Sequence, residues 1–183
     1  MMALGKWTSG SLSYTDGTLG GIKVDGTSFH HGGHYPGYSV GAFGVLGDYC
    51  WFTRDTDFAI DEPARRVFKH TLMTLLDYCN LRDWGVGVCG RHPFNGAIPE
   101  KDVEAFARLA LLGDLTGSGL SADPELGGAF LLLAGKDKNL QTAMKQAGIR
   151  PLTPKEGFRV YNYGGFGIHR RGDWMMTLKG YNS

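Results

Sequence analysis

Three of the six histidines in the chain crowd into one short stretch, Asp25-Gly26-Thr27-Ser28-Phe29-His30-His31-Gly32-Gly33-His34-Tyr35-Pro36-Gly37-Tyr38. Imidazole exchanges protons near neutral pH and ligates metals, so this stretch suits proton transfer or cation binding, or is a purely structural loop. His30 and His34 have the spacing of one helical turn. Gly32, Gly33 and Pro36 argue against a helix there. A second loop, Gly90-Arg91-His92-Pro93-Phe94-Asn95-Gly96, brings together a guanidinium, an imidazole and an amide. A third group, Gly167-Ile168-His169-Arg170-Arg171, falls in a predicted strand, where alternation puts His169 and Arg171 on a solvent face.

The elements that must hold these groups are legible from proline and glycine punctuation. Asp61-Glu62-Pro63 opens a helix whose Val67, Phe68, Leu72, Leu75, Leu76 and Cys79 recur at helical spacing, leaving Arg65, Arg66 and Lys69 in water. Ile98-Pro99-Glu100 opens another, with Val103, Phe106 and Ala110 inward and an end at Gly113. Asp123-Pro124 opens a third that closes at Gly135, and a shorter helix runs from Lys138 to Ala147. Ser39 to Phe52 reads as a helix too. Its Gly41, Gly44 and Gly47 each cost about 1 kcal/mol relative to alanine and imply close helix packing. After Arg150-Pro151 the texture turns to aromatic and alternating residues over Gly157 to Tyr163 and Phe166 to Leu178, with Arg171-Gly172-Asp173 as a turn. An isolated hairpin is marginal in water, so these strands need partners.

Composition bounds the answer. The 183 residues are 42% hydrophobic, 12% aromatic and 20% charged, enough apolar surface for a real core and too much for a disordered chain. Glycine occurs 29 times, more than double the usual share of about 7%, without a period. The longest apolar run, Ala129 to Ala134, is far short of the roughly 20 residues a spanning helix needs, so no membrane segment is expected. The first ten residues lack a secretory signal pattern. Cys50, Cys79 and Cys89 form no CxxC pair and read as buried thiols. The net charge of +1 hides an asymmetry: residues 136–183 hold nine Lys/Arg against three Asp/Glu, and the rest hold ten against fifteen. That basic end is either a solvated face or a face for a polyanion, a nucleic acid or an acidic glycan.

Taken in order, DGTSFHHGGHYPGYS (25–39), GRHPFNG (90–96) and GGFGIHRRGDWMMTLKGYNS (164–183) resemble successive motifs of polysaccharide lyase family 8, nearest to its chondroitin sulfate ABC lyases. The resemblance implies a mainly α fold: helices of the C-terminal part of an (α/α) toroid over residues 1–150, then the first strands of an antiparallel β domain over 151–183. Family members are several times longer, so the chain is expected to match one segment of such an enzyme. The implied activity is β-elimination at a uronic acid of chondroitin or dermatan sulfate, with hyaluronan as a further substrate. The partner is then an acidic polysaccharide, together with the remaining segments of the enzyme, and neither nucleic acid nor membrane. By the same resemblance the parent enzyme is bacterial and extracellular or periplasmic.

The resemblance also assigns roles. The proton alpha to a carboxylate is very weakly acidic, so a site must neutralise the carboxylate, supply a base and protonate the leaving oxygen. By motif position His31 and Tyr38 share the proton work, and Arg91 supports them electrostatically. A free tyrosine has a pKa near about 10 and needs a cation beside it to act as a base at neutral pH. His92 and Asn95 are implied to bind substrate, and His30 to serve a second uronate epimer. The resemblance fixes no cofactor; a divalent cation, calcium or magnesium, accompanies some relatives. The family's supporting glutamate falls beyond Ser183. Two other readings stay open at this level: an inactive chain that binds acidic polysaccharide through its basic end, and a metal protein built on His30, His31 and His34.

Overall fold

The computed structural model describes residues 2–88 and 96–180. The fold is mainly helical, with antiparallel strands after the helices, as the sequence predicts. The helices are α1 (Met2–Ser11), α2 (Pro36–Thr53), α3 (Glu62–Asp77), α4 (Glu100–Ala110), α5 (Pro124–Leu132) and α6 (Lys138–Gln146). Strands β1 (Gly21–Ile22), β2 (Ser28–His30) and β3 (Gly33–His34) form one small sheet, and β4 (Gly157–Tyr161), β5 (Phe166–Arg171) and β6 (Trp174–Lys179) form another. Neither α1 nor the first small sheet was expected from the sequence; glycine density hid the latter inside what reads as a loop. No helix among the described residues is long and apolar enough to cross a membrane.

The punctuation residues act as caps. The Asp61 carboxylate accepts from the Ala64 N–H at 2.9 Å, and Asp123 and Asp137 each accept from two N–H groups opening α5 and α6. Helix α3 buries Val67, Phe68, Thr71, Leu72 and Leu75 against the core. Arg66 stays in water as expected, but Lys69 does not: its ammonium lies 2.7 Å from both Asp123 and Glu125, with the Asp123 side chain fully buried. The periodicity that marks a polar face cannot reveal that a neighbouring helix start supplies a carboxylate to it.

Helices α2 and α4 pack through the glycines of α2. A Cβ at Gly47 would come 2.7 Å from the Cβ of Ala105, and one at Gly44 would come 2.7 Å from the Lys101 side chain. Side chains at those two positions would hold the helices apart. Gly41 differs, because a Cβ there would meet nothing within 4 Å. The interface also carries a buried polar bond: Asp102 Oδ1 accepts from the Gly44 N–H at 3.0 Å.

The terminal sheet lays one face on the end of α3. Tyr161, Phe166, Ile168 and Arg170 are buried, and the Tyr78 ring packs edge-on to Tyr161 and Phe166. Arg170 donates to Asn80 Oδ1 at 3.0 Å and to the Cys79 carbonyl. On the other face Phe158, Val160, Trp174, Met176 and Leu178 are exposed, Arg171 lies in water as expected, and His169 is half-buried. Cys50 and Cys79 are buried free thiols, and burial pushes the Cys50 thiol up to about 12; Cys89 lies outside the described residues.

Candidate active site

Strands β2 and β3 pair His30 with Gly33 and Phe29 with His34, so His31 and Gly32 form the two-residue turn between them. Both turn residues have positive φ, +53° for His31 and +76° for Gly32. That is what a tight hairpin turn of this length demands, and histidine is among the few residue types enriched in that conformation. The dipeptide His31-Gly32 was therefore the readable signal for the hairpin. Its result is an imidazole held at a hairpin tip.

Tyr38 does not lie in the loop with the histidines but in the first turn of α2, which starts at Pro36 rather than Ser39. Proline at that position presets the helical backbone. The tip and the helix start face each other. The His31 and Tyr38 rings meet edge to face with centroids 5.6 Å apart; the His30 ring stacks on Tyr38 at 4.8 Å; and the two histidine rings lie perpendicular at 4.0 Å. All three side chains are solvent-accessible.

Beside them opens a cavity of about 460 Å³ lined by Gly37, Val40, Gly41, Trp84, Gly96, Ala97 and Pro99. Gly37 precedes Tyr38 and Gly41 follows it by three residues, so a bare stretch of helix adjoins the phenol. The far wall comes from the pairing of residues 82–84 with 96–98, where the Trp84 N–H donates to the Gly96 carbonyl at 2.7 Å and the Ile98 N–H to the Arg82 carbonyl at 2.9 Å. Gly96 ends the segment that carries Arg91, His92 and Asn95, which lie outside the described residues. Trp84, buried at this wall, was not foreseen, because no period marks it.

His34 takes no part in a cation site with His30 and His31. Strand alternation turns it to the opposite side of the hairpin from His30, where it is buried against Phe29, Tyr78 and Phe166. Nε2 is 2.9 Å from the Tyr78 hydroxyl and Nδ1 is 3.2 Å from the Lys179 ammonium. Burial, with the Lys179 charge beside it, lowers its pKa to about 3. The three-histidine metal reading is corrected accordingly, and among the described residues no group of three His, Cys, Asp or Glu side chains could hold a metal ion. Among the described residues, the donors of the cluster, two imidazoles and a phenol, do not fit a calcium or magnesium site, which calls for several converging oxygens.

A catalytic domain described as "Lyase, catalytic" matches residues 1–140, and the chain belongs to that family of lyases. Among curated proteins it is 34% identical over 163 residues to a chondroitin sulfate ABC endolyase of Proteus vulgaris, covering 89% of this chain and 15% of that protein. It is 25% identical over 203 residues to a chondroitin sulfate ABC exolyase of Bacteroides thetaiotaomicron, covering all of this chain and 20% of the relative. A solved xanthan lyase from Paenibacillus shares the fold with a TM-score of 0.64 at 14% identity, over 91% of this chain and 18% of that one. The chain thus spans about a fifth or less of the length of these relatives.

Proposed function

We propose that this chain supplies proton-transfer groups to a glycosaminoglycan lyase of polysaccharide lyase family 8, acting on chondroitin or dermatan sulfate by β-elimination. The observation that carries the reading is the convergence of His31 and Tyr38, from a hairpin tip and a helix start, where the α2 turn that holds Tyr38 borders a cavity of about 460 Å³ through Gly37 and Gly41. The curated relatives, named as chondroitin sulfate ABC lyases, support the substrate class.

In this reaction a base takes the proton from carbon 5 of the uronate, and the released electron pair forms the double bond between carbons 4 and 5. The bond from carbon 4 to the glycosidic oxygen breaks, and an acid protonates that oxygen. Tyr38 and His31 divide these two proton transfers, and the N-terminal end of the α2 dipole adds a positive field near the phenol. Arg91 supplies the fixed cation, His92 and Asn95 bind the sugar, and His30, stacked on the phenol, serves the second epimer. Residues 1–150 act as the catalytic helical part, and 151–183 as the start of the β domain.

The test is absorbance of the unsaturated uronate on mixing the chain with chondroitin sulfate, alone and with the remaining segments of the Proteus vulgaris endolyase supplied in trans. Signal lost in Tyr38→Phe supports the reading. Salt-sensitive binding that survives Tyr38→Phe, with no unsaturated product under either condition, favours an inactive acidic-glycan binder instead.

A further inference from the structure

The hairpin that carries His30 and His31 is only three residues by two, and a ribbon of that size does not hold its own shape in water. Its inner face is anchored through His34. An ammonium donates and cannot accept, so His34 Nδ1 must be the acceptor from Lys179; the ring proton then sits on Nε2 and is donated to the Tyr78 hydroxyl. Tyr78 caps the end of α3, whereas Lys179 ends β6 and also donates to the Gly164 carbonyl. The neutral ring therefore joins three pieces of chain far apart in sequence.

The turn between β4 and β5 is fitted to this ring. A Cβ at Gly164 would come 3.1 Å from His34 Nδ1 and 3.1 Å from Thr27, so the bare glycine lets the turn lie close over the imidazole. Next to it, the Tyr163 N–H donates to Asp25 Oδ2 at 2.9 Å, and Asp25 Oδ1 accepts from the Thr27 hydroxyl at 2.6 Å. The terminal sheet thus grips the hairpin at its entry, through Asp25, and at its exit, through His34.

We propose that His34 is a positioning residue, clamping the hairpin between Tyr78 of the helical layer and Lys179 of the terminal sheet so that the sheet sets the geometry of the His30, His31 and Tyr38 cluster. As a statement about catalysis this rests on the lyase reading; as a statement about geometry it does not. His34 is not among the residues that line the cavity, and its ring packs on Phe29, Tyr78 and Phe166. Its influence passes through the backbone between His34 and His31.

Nitrogen-15 and proton NMR of the full chain tests the clamp. His34→Gln keeps a donor for Tyr78, His34→Asn keeps an acceptor for Lys179, Lys179→Met leaves the imidazole packed, and Gly164→Ala presses on it. In wild type His34 shows one protonated and one bare ring nitrogen, unchanged down to about pH 4. In the folded variants the His31 ring protons lose the displacement that the Tyr38 ring gives them, measured against Tyr38→Ala. Where the chain turns over chondroitin sulfate, kcat falls about 10- to 100-fold with KM within about twofold. Folded Lys179→Met and Gly164→Ala proteins with unmoved His31 signals overturn the clamp. Moved His31 signals with no unsaturated product from wild type under any condition overturn the lyase reading and leave the clamp standing.

Discussion

The imidazole of His30 lies flat against the ring of Tyr38, centroids 4.8 Å apart and planes 27° from parallel. A stacked ring touches the phenol's face and steadies its orientation, whereas His31 approaches edge-on from the hairpin tip. Stacking of this kind is worth about 0.5–1.5 kcal/mol. On the proposed function, His30→Ala is expected to lower lyase turnover by about 2- to 10-fold, and Tyr38→Phe, which removes the proposed proton-transfer group, by about a hundredfold or more. Initial rates of unsaturated uronate formation compare the two, and equal losses contradict the division of roles.

Gly47 sits against Ala105 with no room for a side chain. Gly47→Val forces α2 and α4 apart and is expected to cost about 1–3 kcal/mol of stability, measured by urea denaturation. Gly41→Ala, on the same helix but facing open space, is expected to be neutral or to stabilise the chain slightly.

Burial of Asp102 between α2 and α4 raises its carboxyl pKa from 3.8 to about 7, against the lowering effect of the Gly44 N–H and the Lys101 charge. A carboxyl whose pKa is raised in the folded state holds its proton there while the unfolded chain has lost it. Its contribution is then complete below pH 3.8 and is lost as pH rises towards about 7. Wild type is expected to lose stability over that window by at most about 1.4 kcal/mol per pH unit from this group. Asp102→Asn, which keeps an acceptor for Gly44, removes that slope, as thermal melts at a series of pH values would record. Identical pH profiles for the two proteins would rule the assignment out.

Asp123 does three jobs with one buried carboxylate: it caps α5 through Glu125 and Leu126, accepts from the Leu115 N–H at 3.1 Å and pairs with Lys69 at 2.7 Å. Asp137 only caps α6. Asp123→Ala is expected to cost about 3 kcal/mol and Asp137→Ala about 1 kcal/mol, since the first also strands buried donors. Chemical denaturation of the two variants decides it.

Helices α3 to α6 were legible because their signals are local: Asp61-Glu62-Pro63 and Asp123-Pro124 are starts that chain stiffness and capping dictate without reference to distant residues. The glycines of α2 likewise announced close packing, and two of the three deliver it. What stayed hidden depends on long-range partners. Lys69 reads as a solvent residue until Asp123 arrives from a segment 54 residues later. His34 reads as a third member of a histidine cluster until β2 and β3 pair and strand alternation turns it inward. His30, His31 and Tyr38 were chosen by motif, yet the hairpin that presents the two histidines hangs on His31 and Gly32 accepting positive φ, a local feature submerged among many other glycines.

The most direct measurement is single-turnover formation of unsaturated uronate from chondroitin sulfate by wild type and Tyr38→Phe, each alone and with the complementary endolyase segments in trans. The account predicts product from wild type in at least one condition, and its loss in a Tyr38→Phe protein that still folds and binds the glycan. Product formed equally well by both proteins, or by neither under any condition, would contradict it.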